Sequence, residues 1–223
     1  SGDADGVFIR RYGGLVTTEA GGTATFTVVL SAQPSANVTI ALSSSDTTEG
    51  TVSPASLTFT NANWNVPQTV TVTGVDDLLV DGTVAYTILT GATSSGDLAF
   101  DNLAVDDVPV STTDDDTFAT VTNVTSSSSN GTYGIGATIA VQLTFSKAVT
   151  LTGIPQLPLE TGASDAAVNY ASGSGTNALT FTYTVGAGHT SADLDYVSTG
   201  ALALNGATIQ DAGTNAATLS LPT

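Results

Sequence analysis

The sequence predicts an all-β fold built from two tandem antiparallel β-sandwiches. The first observation is strict period-two alternation, as in residues 23–28 and 69–73, where threonines mark one face and apolar residues the other. Such alternation is typical of antiparallel strands that bury one face. The second is turn chemistry: glycines and prolines recur roughly every ten residues between the alternating runs, as in a sandwich of short strands. No segment has helical periodicity.

The alternation also selects a core for each half of the chain, because residues two apart on a strand face the same side. In the first half the apolar phase runs through residues 26–30, 40–42, 57–59, 70–72 and 86–88. In the second half it predicts a core of Ile139, Val141, Leu143, Phe145, Leu179, Phe181, Tyr183, Leu202 and Leu204.

The boundary between the two predicted domains falls at an aspartate triplet. Asp114-Asp115-Asp116 separates a strand ending near Val110 from one starting near Phe118, so we expect domains at residues 1–116 and 117–223. A connection this short is not a flexible linker. Asp3 and Asp5 precede the first strand in the same manner, which favours a chain cut from a longer array.

Composition excludes several classes of function. The chain has no cysteine, so thiol chemistry and disulfides play no part. Arg10, Arg11 and Lys147 are its only cations, too few to neutralise nucleic-acid phosphates or to hold an anionic membrane. No apolar run reaches the roughly 20 residues of a membrane helix, and no signal peptide is seen, so we expect no membrane insertion. A low content of charged residues, with almost no Lys and abundant Thr, Ser, Gly and Ala, is typical of extracellular bacterial repeat proteins.

The acidic residues are clustered, which indicates a bound cation. Twenty acids oppose three bases, and all but five of the acids precede Thr117. Two like charges about 4 Å apart repel by roughly 4 kcal/mol at a protein surface, so grouped aspartates at strand ends favour a hard divalent ion with oxygen ligands, namely calcium. The alternative is a solvated, repulsive surface that maintains solubility.

Residues 6–116 resemble a Calx-beta type domain of the kind repeated in giant bacterial surface and adhesion proteins. The matching motifs are Thr18-Glu19-Ala20-Gly21-Gly22, the segment 44–50, the Asn61-Ala62-Asn63-Trp64 turn, Val75-Asp76-Asp77 with Asp81-Gly82, and the closing aspartate triplet. The resemblance implies an immunoglobulin-like sandwich whose distal loops bind calcium. Because Leu78-Leu79-Val80 is poor in acids, we expect one or two ions. The implied ligands are Glu19, Asp46, Asp76, Asp77, Asp81, Asp114, Asp115 and Asp116.

Residues 118–223 are similar to a bacterial immunoglobulin-like repeat found in the same giant proteins. The matching pieces include segments 131–136, 143–146, 155–157, 170–176, 193–196 and 205–211. His189 stands where the repeat has Asp or Asn, which weakens the case for a metal in this half.

Catalytic constellations are absent from the sequence. His189, the sole histidine, lies in a glycine-flanked turn and is expected to be an exposed loop residue. The serines lack the strand-to-helix elbow of a hydrolase nucleophile. Trp64 could serve as a sugar platform, but the better interpretation is a packed turn residue. We therefore predict that the chain is not an enzyme.

The resulting hypothesis is a calcium-rigidified extender or filament segment of a secreted bacterial surface or adhesion protein, with neighbouring repeats or subunits as partners. The main alternative is an adhesin module that binds surface glycans. A third is a spacer in a secreted enzyme whose catalytic domain lies elsewhere. The array could also polymerise by strand docking, since Thr-rich strands with open edges permit β-strand addition.

Overall fold

The computed structural model describes residues 6–11 and 13–223, and all of its regular structure is β-strand. The chain divides into two compact units, with the boundary between Asp116 and Thr117. No helix of the length and apolar character needed to cross a bilayer occurs in the described residues. The predicted fold class, all-β with sandwich units, is confirmed.

The described residues of the first unit form ten strands in two sheets. They are β1 (Val7–Arg10), β2 (Leu15–Thr18), β3 (Thr23–Leu30), β4 (Val38–Ser44), β5 (Gly50–Ser53), β6 (Ser56–Phe59), β7 (Gln68–Gly74), β8 (Val84–Thr90), β9 (Ser94–Ser95) and β10 (Val108–Thr113). One sheet has the order β1-β3-β7-β5, and the other has the order β2-β10-β8-β4-β6 with β9 beside β4.

One strand pair of the first unit is parallel. β10 runs parallel to β2 in the register Val110↔Leu15 to Thr113↔Thr18, whereas its pairing with β8 is antiparallel. The sequence did not reveal this, because the period-two pattern is the same in both orientations. Its consequence is that the segments following β2 and β10 leave the sheet at the same end.

The predicted core of the first unit is buried throughout. The apolar faces of both sheets meet in one cluster that includes Phe26, Ile40, Leu57, Phe59 and Ile88. These five side chains are no more than 2% exposed. Trp64 is partly buried and packs against the same cluster, as a turn residue that closes the sandwich rather than an exposed platform.

The second unit contains β11 (Val121–Ser126), β12 (Thr138–Thr152), β13 (Gln156–Leu159), β14 (Ala166–Ser172), β15 (Thr176–Thr184) and β16 (Thr208–Gln210). The strand order is β11-β12-β15-β14-β13, and β16 pairs with the last part of β12. Its predicted core is buried apart from Leu204, which is partly buried and packs against the cluster.

Candidate metal centre

The acidic loops of the first unit converge because the strands that carry them end together. β2 and β10 finish side by side at Thr18 and Thr113, and the Glu19 amide donates to the Thr113 carbonyl at 3.1 Å. The sequence continues from there into Glu19 on one strand and into Asp114 on the other. The parallel pair therefore brings the first and last acidic motifs together across almost one hundred residues of sequence.

A second strand pair adds the remaining acids to this end. β5 begins at Gly50 opposite Gly74, the last residue of β7, and the Val75 amide donates to the Glu49 carbonyl at 3.0 Å. Glu49 just before β5 is thus placed beside the segment that carries Asp76 and Asp77. The start of β8 lies against the end of β10, which places Asp81 in the same region.

Gly74 lets the two strand pairs approach each other closely. A Cβ atom at this position would lie 2.1 Å from the Thr18 carbonyl oxygen, and the Gly74 amide donates to the Gly22 carbonyl at 3.0 Å. Any side chain here would push β2 away from β7. The glycine therefore sets the spacing between Glu19 and the aspartates that follow β7.

Among the residues that the structure describes, two groups of three carboxylates result. Glu19, Asp76 and Asp116 form one group, and Glu49, Asp77 and Asp81 form the other. Within each group, one carboxylate oxygen per residue lies within 4.8 Å of the other two. Oxygens on opposite sides of a calcium ion, with bonds of about 2.4 Å, are themselves about 4.8 Å apart. Each group therefore has the size of a single calcium coordination shell.

Both groups contain a buried glutamate with an unsatisfied oxygen. Glu19 is 2% exposed and Glu49 is 6% exposed, and Oε2 of each has no hydrogen-bond partner in the described structure. A buried carboxylate oxygen without a partner bears the full cost of desolvation, which is why such atoms are rare. A bound cation would satisfy both oxygens, so the donor set fits a hard metal ion.

The electrostatics of the two glutamates agree with this geometry. Burial, with the added charge of Asp114, raises the pKa of Glu19 to about 7. Burial also raises the pKa of Glu49, with further repulsion from Asp81 and Asp46. Without a cation, the protein holds these groups where their charged forms are disfavoured.

Three of the predicted ligands lie beside the groups rather than in them. The Asp114 carboxylate accepts from the amides of Gly82 (2.8 Å) and Asp116 (2.7 Å), and these bonds lower the pKa of Asp114. Asp46 accepts from the amide and hydroxyl of Thr48, which lower the pKa of Asp46. Asp115 is exposed, and its backbone amide bonds to the Glu19 carboxylate.

A network of buried hydroxyl groups lies next to the site and contacts the backbone of Glu49. The Thr17 and Thr112 hydroxyls are 2.8 Å apart, and Thr112 donates to the Glu49 carbonyl at 3.0 Å. Thr17 also lies 3.4 Å from the Tyr86 hydroxyl, which occupies the space that a Cβ on Gly50 would fill. These bonds fix the backbone of Glu49 to β2 and β10.

Glu49 is the member of the site that the sequence did not reveal. It lies in segment 44–50, where the resemblance implies only Asp46 as a ligand. The sequence feature that could have indicated Glu49 is its position directly before a strand and next to Gly50. Its relevance depends on the pairing of β5 with β7, which sequence alone does not give.

No family model matches the chain, and no curated protein matches it. Among solved structures, the calcium binding domain CBD12 of CALX1.1 aligns at 16% identity and a TM-score of 0.39, covering 80% of this chain and 74% of that one. CBD12 from CALX1.2 aligns at 14% identity and a TM-score of 0.37, covering 88% and 77%. Domains 5-6 of the S-layer protein SbsC align at 18% identity and a TM-score of 0.27, covering 83% and 86%. Similarity at this level carries no argument about function.

Proposed function

We propose that the first unit binds calcium at its acidic end and that the two units serve as a calcium-rigidified extender or filament segment of a secreted surface protein. The observation that carries the calcium assignment is the pair of buried, unpartnered oxygens, Glu19 Oε2 and Glu49 Oε2. Each lies in a group of carboxylates spaced for one ion. If the acidic residues formed only a solvated surface, both glutamate carboxylates would be expected to be exposed, because burying them costs desolvation free energy.

The ligands would come from both groups, with one ion for each. Glu19, Asp76 and Asp116 would hold the first, and a second would be held by Glu49, Asp77 and Asp81. Asp46, Asp114 and Asp115 would add negative charge around them. Calcium prefers six to eight oxygens at about 2.3–2.6 Å, so backbone carbonyls and waters would complete each shell. The ion supplies charge neutralisation and cross-linking of loops.

Binding stabilises the fold by mass action. Free calcium a hundredfold above the dissociation constant adds about 2.7 kcal/mol to the free energy of unfolding, provided that the unfolded chain does not bind. The gain would fall on the first unit, where both groups lie. Each unit has its own apolar core, so we expect the chain to remain folded without the ion.

Isothermal titration calorimetry tests the calcium assignment. Wild-type protein should release or absorb heat on calcium addition, and Glu49→Gln should bind at least tenfold more weakly. Glu160→Gln is the matched control, because Glu160 is the remaining glutamate and is exposed. Absence of both a binding heat and a thermal shift at millimolar calcium would exclude the proposal.

The mechanical role rests on the position of Asp116. This residue belongs to the first carboxylate group and directly precedes Thr117, where the second unit begins. An ion held by Asp116 would restrict the backbone at the junction. Small-angle scattering with and without chelator tests the role: we expect the maximum dimension to shorten when calcium is removed. An unchanged maximum dimension would argue against calcium as the lock.

A further inference from the structure

The second unit has an open groove that its own strands leave unfilled. The groove has a volume of about 940 Å³. Its apolar lining includes Ile139 and Val141 of β12 and Val185 just after β15. One wall is the end of β11 with the loop that follows it, and the other is the segment 189–196. Core-forming side chains thus line a cleft between two walls of backbone.

The strand that forms one wall has a free edge. β11 pairs with β12 from Val121 to Ser126, and in the described structure no strand pairs with its other side over that range. The C-terminal segment reaches only the start of β11, where Thr120 bridges Thr218. A sheet edge next to an apolar cleft is a template for an added strand, because it offers both unpaired amides and a place for side chains.

The opposite wall is held in place by His189. Its Nδ1 accepts from the Gly186 amide at 3.1 Å, so the Tyr183 hydroxyl, 2.8 Å away, must also donate to this atom. The imidazole stacks on the Tyr183 ring with centroids 5.8 Å apart and an interplanar angle of 12°. His189 is therefore a partly buried packing residue rather than the exposed loop residue expected from the sequence. The groove is bounded by an ordered wall.

The charge of the groove restricts its occupant. Asp193 and Asp195 lie in the second wall and are exposed, and the lining, all within the described structure, contains no lysine or arginine. A strand that fits would present an apolar side chain to the floor and a cationic one to these carboxylates. Most of this chain cannot supply such a strand, because it has only three cations in total.

β1 has the required chemistry. It is an edge strand of its sheet, and it ends in Arg10 followed by Arg11, both of which are exposed. Val7 and Ile9 pack with the first core, so Phe8 and Arg10 lie on the opposite face of the strand. Phe8 is partly exposed. The strand thus offers an aromatic ring and a guanidinium side by side, next to an edge with which no described strand pairs.

We propose that the groove of the second unit receives the free edge of β1 from a second copy of this chain. The strand would pair with β11, Phe8 would contact the apolar floor, and Arg10 and Arg11 would meet Asp193 and Asp195. Because the two surfaces differ, the contact is heterologous, and repeated copies extend into a filament unless the rotation closes a ring. This contact does not require calcium and involves neither carboxylate group of the metal centre.

Charge-swapped mixtures of the whole chain test the proposal. One variant carries Arg10→Glu and Arg11→Glu, and the other carries Asp193→Lys and Asp195→Lys. Sedimentation velocity and electron microscopy should show concentration-dependent assembly of the wild type. Each variant alone should associate at least tenfold more weakly, because like charges then face each other. An equal mixture should assemble again, since every junction in an alternating filament pairs opposite charges.

Three results would overturn the proposal: a wild-type chain that stays monomeric at millimolar concentration, assembly that both reversals leave unchanged, or a mixture that fails to recover it. Thermal melts of each variant establish that it is folded. If a reversal impairs folding, Arg10→Gln with Arg11→Gln removes the attraction without adding repulsion, and the same tenfold weakening is expected. The series is run with calcium and with chelator, so a failed calcium assignment and a failed strand contact are separately visible.

Discussion

Replacing Glu19 with glutamine should stabilise the first unit in the absence of calcium and reduce the further stabilisation that calcium adds. The carboxylate oxygens of Glu19, Asp76 and Asp116 lie within 4.8 Å of one another. At that separation, two unit charges repel by about 3 kcal/mol at an effective dielectric constant of about 20. The substitution removes the buried charge while keeping the shape, and the new amide can donate to the neighbouring aspartates.

In chelator at pH 8 the variant should therefore be more stable than the wild type. Solvent screening reduces the gain below the full Coulomb value, so we expect about 2 kcal/mol, or a melting temperature raised by roughly 8 °C for a unit of this size. In calcium the advantage of the variant should shrink to less than about 1 kcal/mol. A tenfold loss of affinity lowers the stabilisation at a fixed ion concentration from about 2.7 to about 1.4 kcal/mol.

Tryptophan fluorescence measures this unit alone, because Trp64 is the sole tryptophan and packs against the first core. Glu160→Gln is the control and should melt like the wild type in both buffers. The reasoning is refuted if Glu19→Gln lowers the melting temperature in chelator and leaves the calcium-dependent increase intact. That result would mean that the Glu19 carboxylate is a structural hydrogen-bonding group rather than a ligand.

Four further predictions concern the same end of the unit. Replacing Asp114, Asp115 and Asp116 together with asparagine should lower the melting temperature in calcium, whereas a merely solvated acidic surface would gain stability or show no change. Calcium affinity should rise with pH between about 4.5 and 7, because the raised pKa of Glu19 keeps a proton on this carboxylate that the ion must displace. Above that range the affinity should not change with pH. Titration calorimetry that shows no pH dependence would contradict this prediction. For the same reason the calcium-free unit should lose stability from Glu19 as pH rises through that window, since the fold favours the protonated form. Gly74→Ala should destabilise the unit by about 1–3 kcal/mol in a denaturant melt, because its Cβ would lie 2.1 Å from the Thr18 carbonyl oxygen, and it should weaken calcium binding. Gly14→Ala is the control and should do neither, because no atom lies within 4 Å of its added Cβ.

The alternation of threonine with apolar residues made the strands and most of the core predictable. Phe26, Ile40 and Phe59 lie in such runs, and all are buried. Phe100 is also buried but lies outside any strand, in a turn, so no periodicity marked it. Leu204 was expected in the core and is only partly buried, because its segment is irregular in the second unit.

The acidic end could be predicted as a region but not as two groups. Proximity of Glu19 to the closing triplet depends on the parallel pairing of β2 with β10, and proximity of Glu49 to Asp77 depends on the pairing of β5 with β7. Neither register is visible in a period-two pattern. The burial of both glutamates likewise follows from tertiary packing, not from their neighbours in sequence.

The most direct test of the calcium assignment is a crystal structure grown in calcium, with anomalous diffraction measured from the native ion and from a lanthanide replacement. We predict a peak within about 2.6 Å of carboxylate oxygens from Glu19, Asp76 and Asp116, and another among Glu49, Asp77 and Asp81. Well-ordered loops with no anomalous peak in either group, at millimolar calcium, would contradict it.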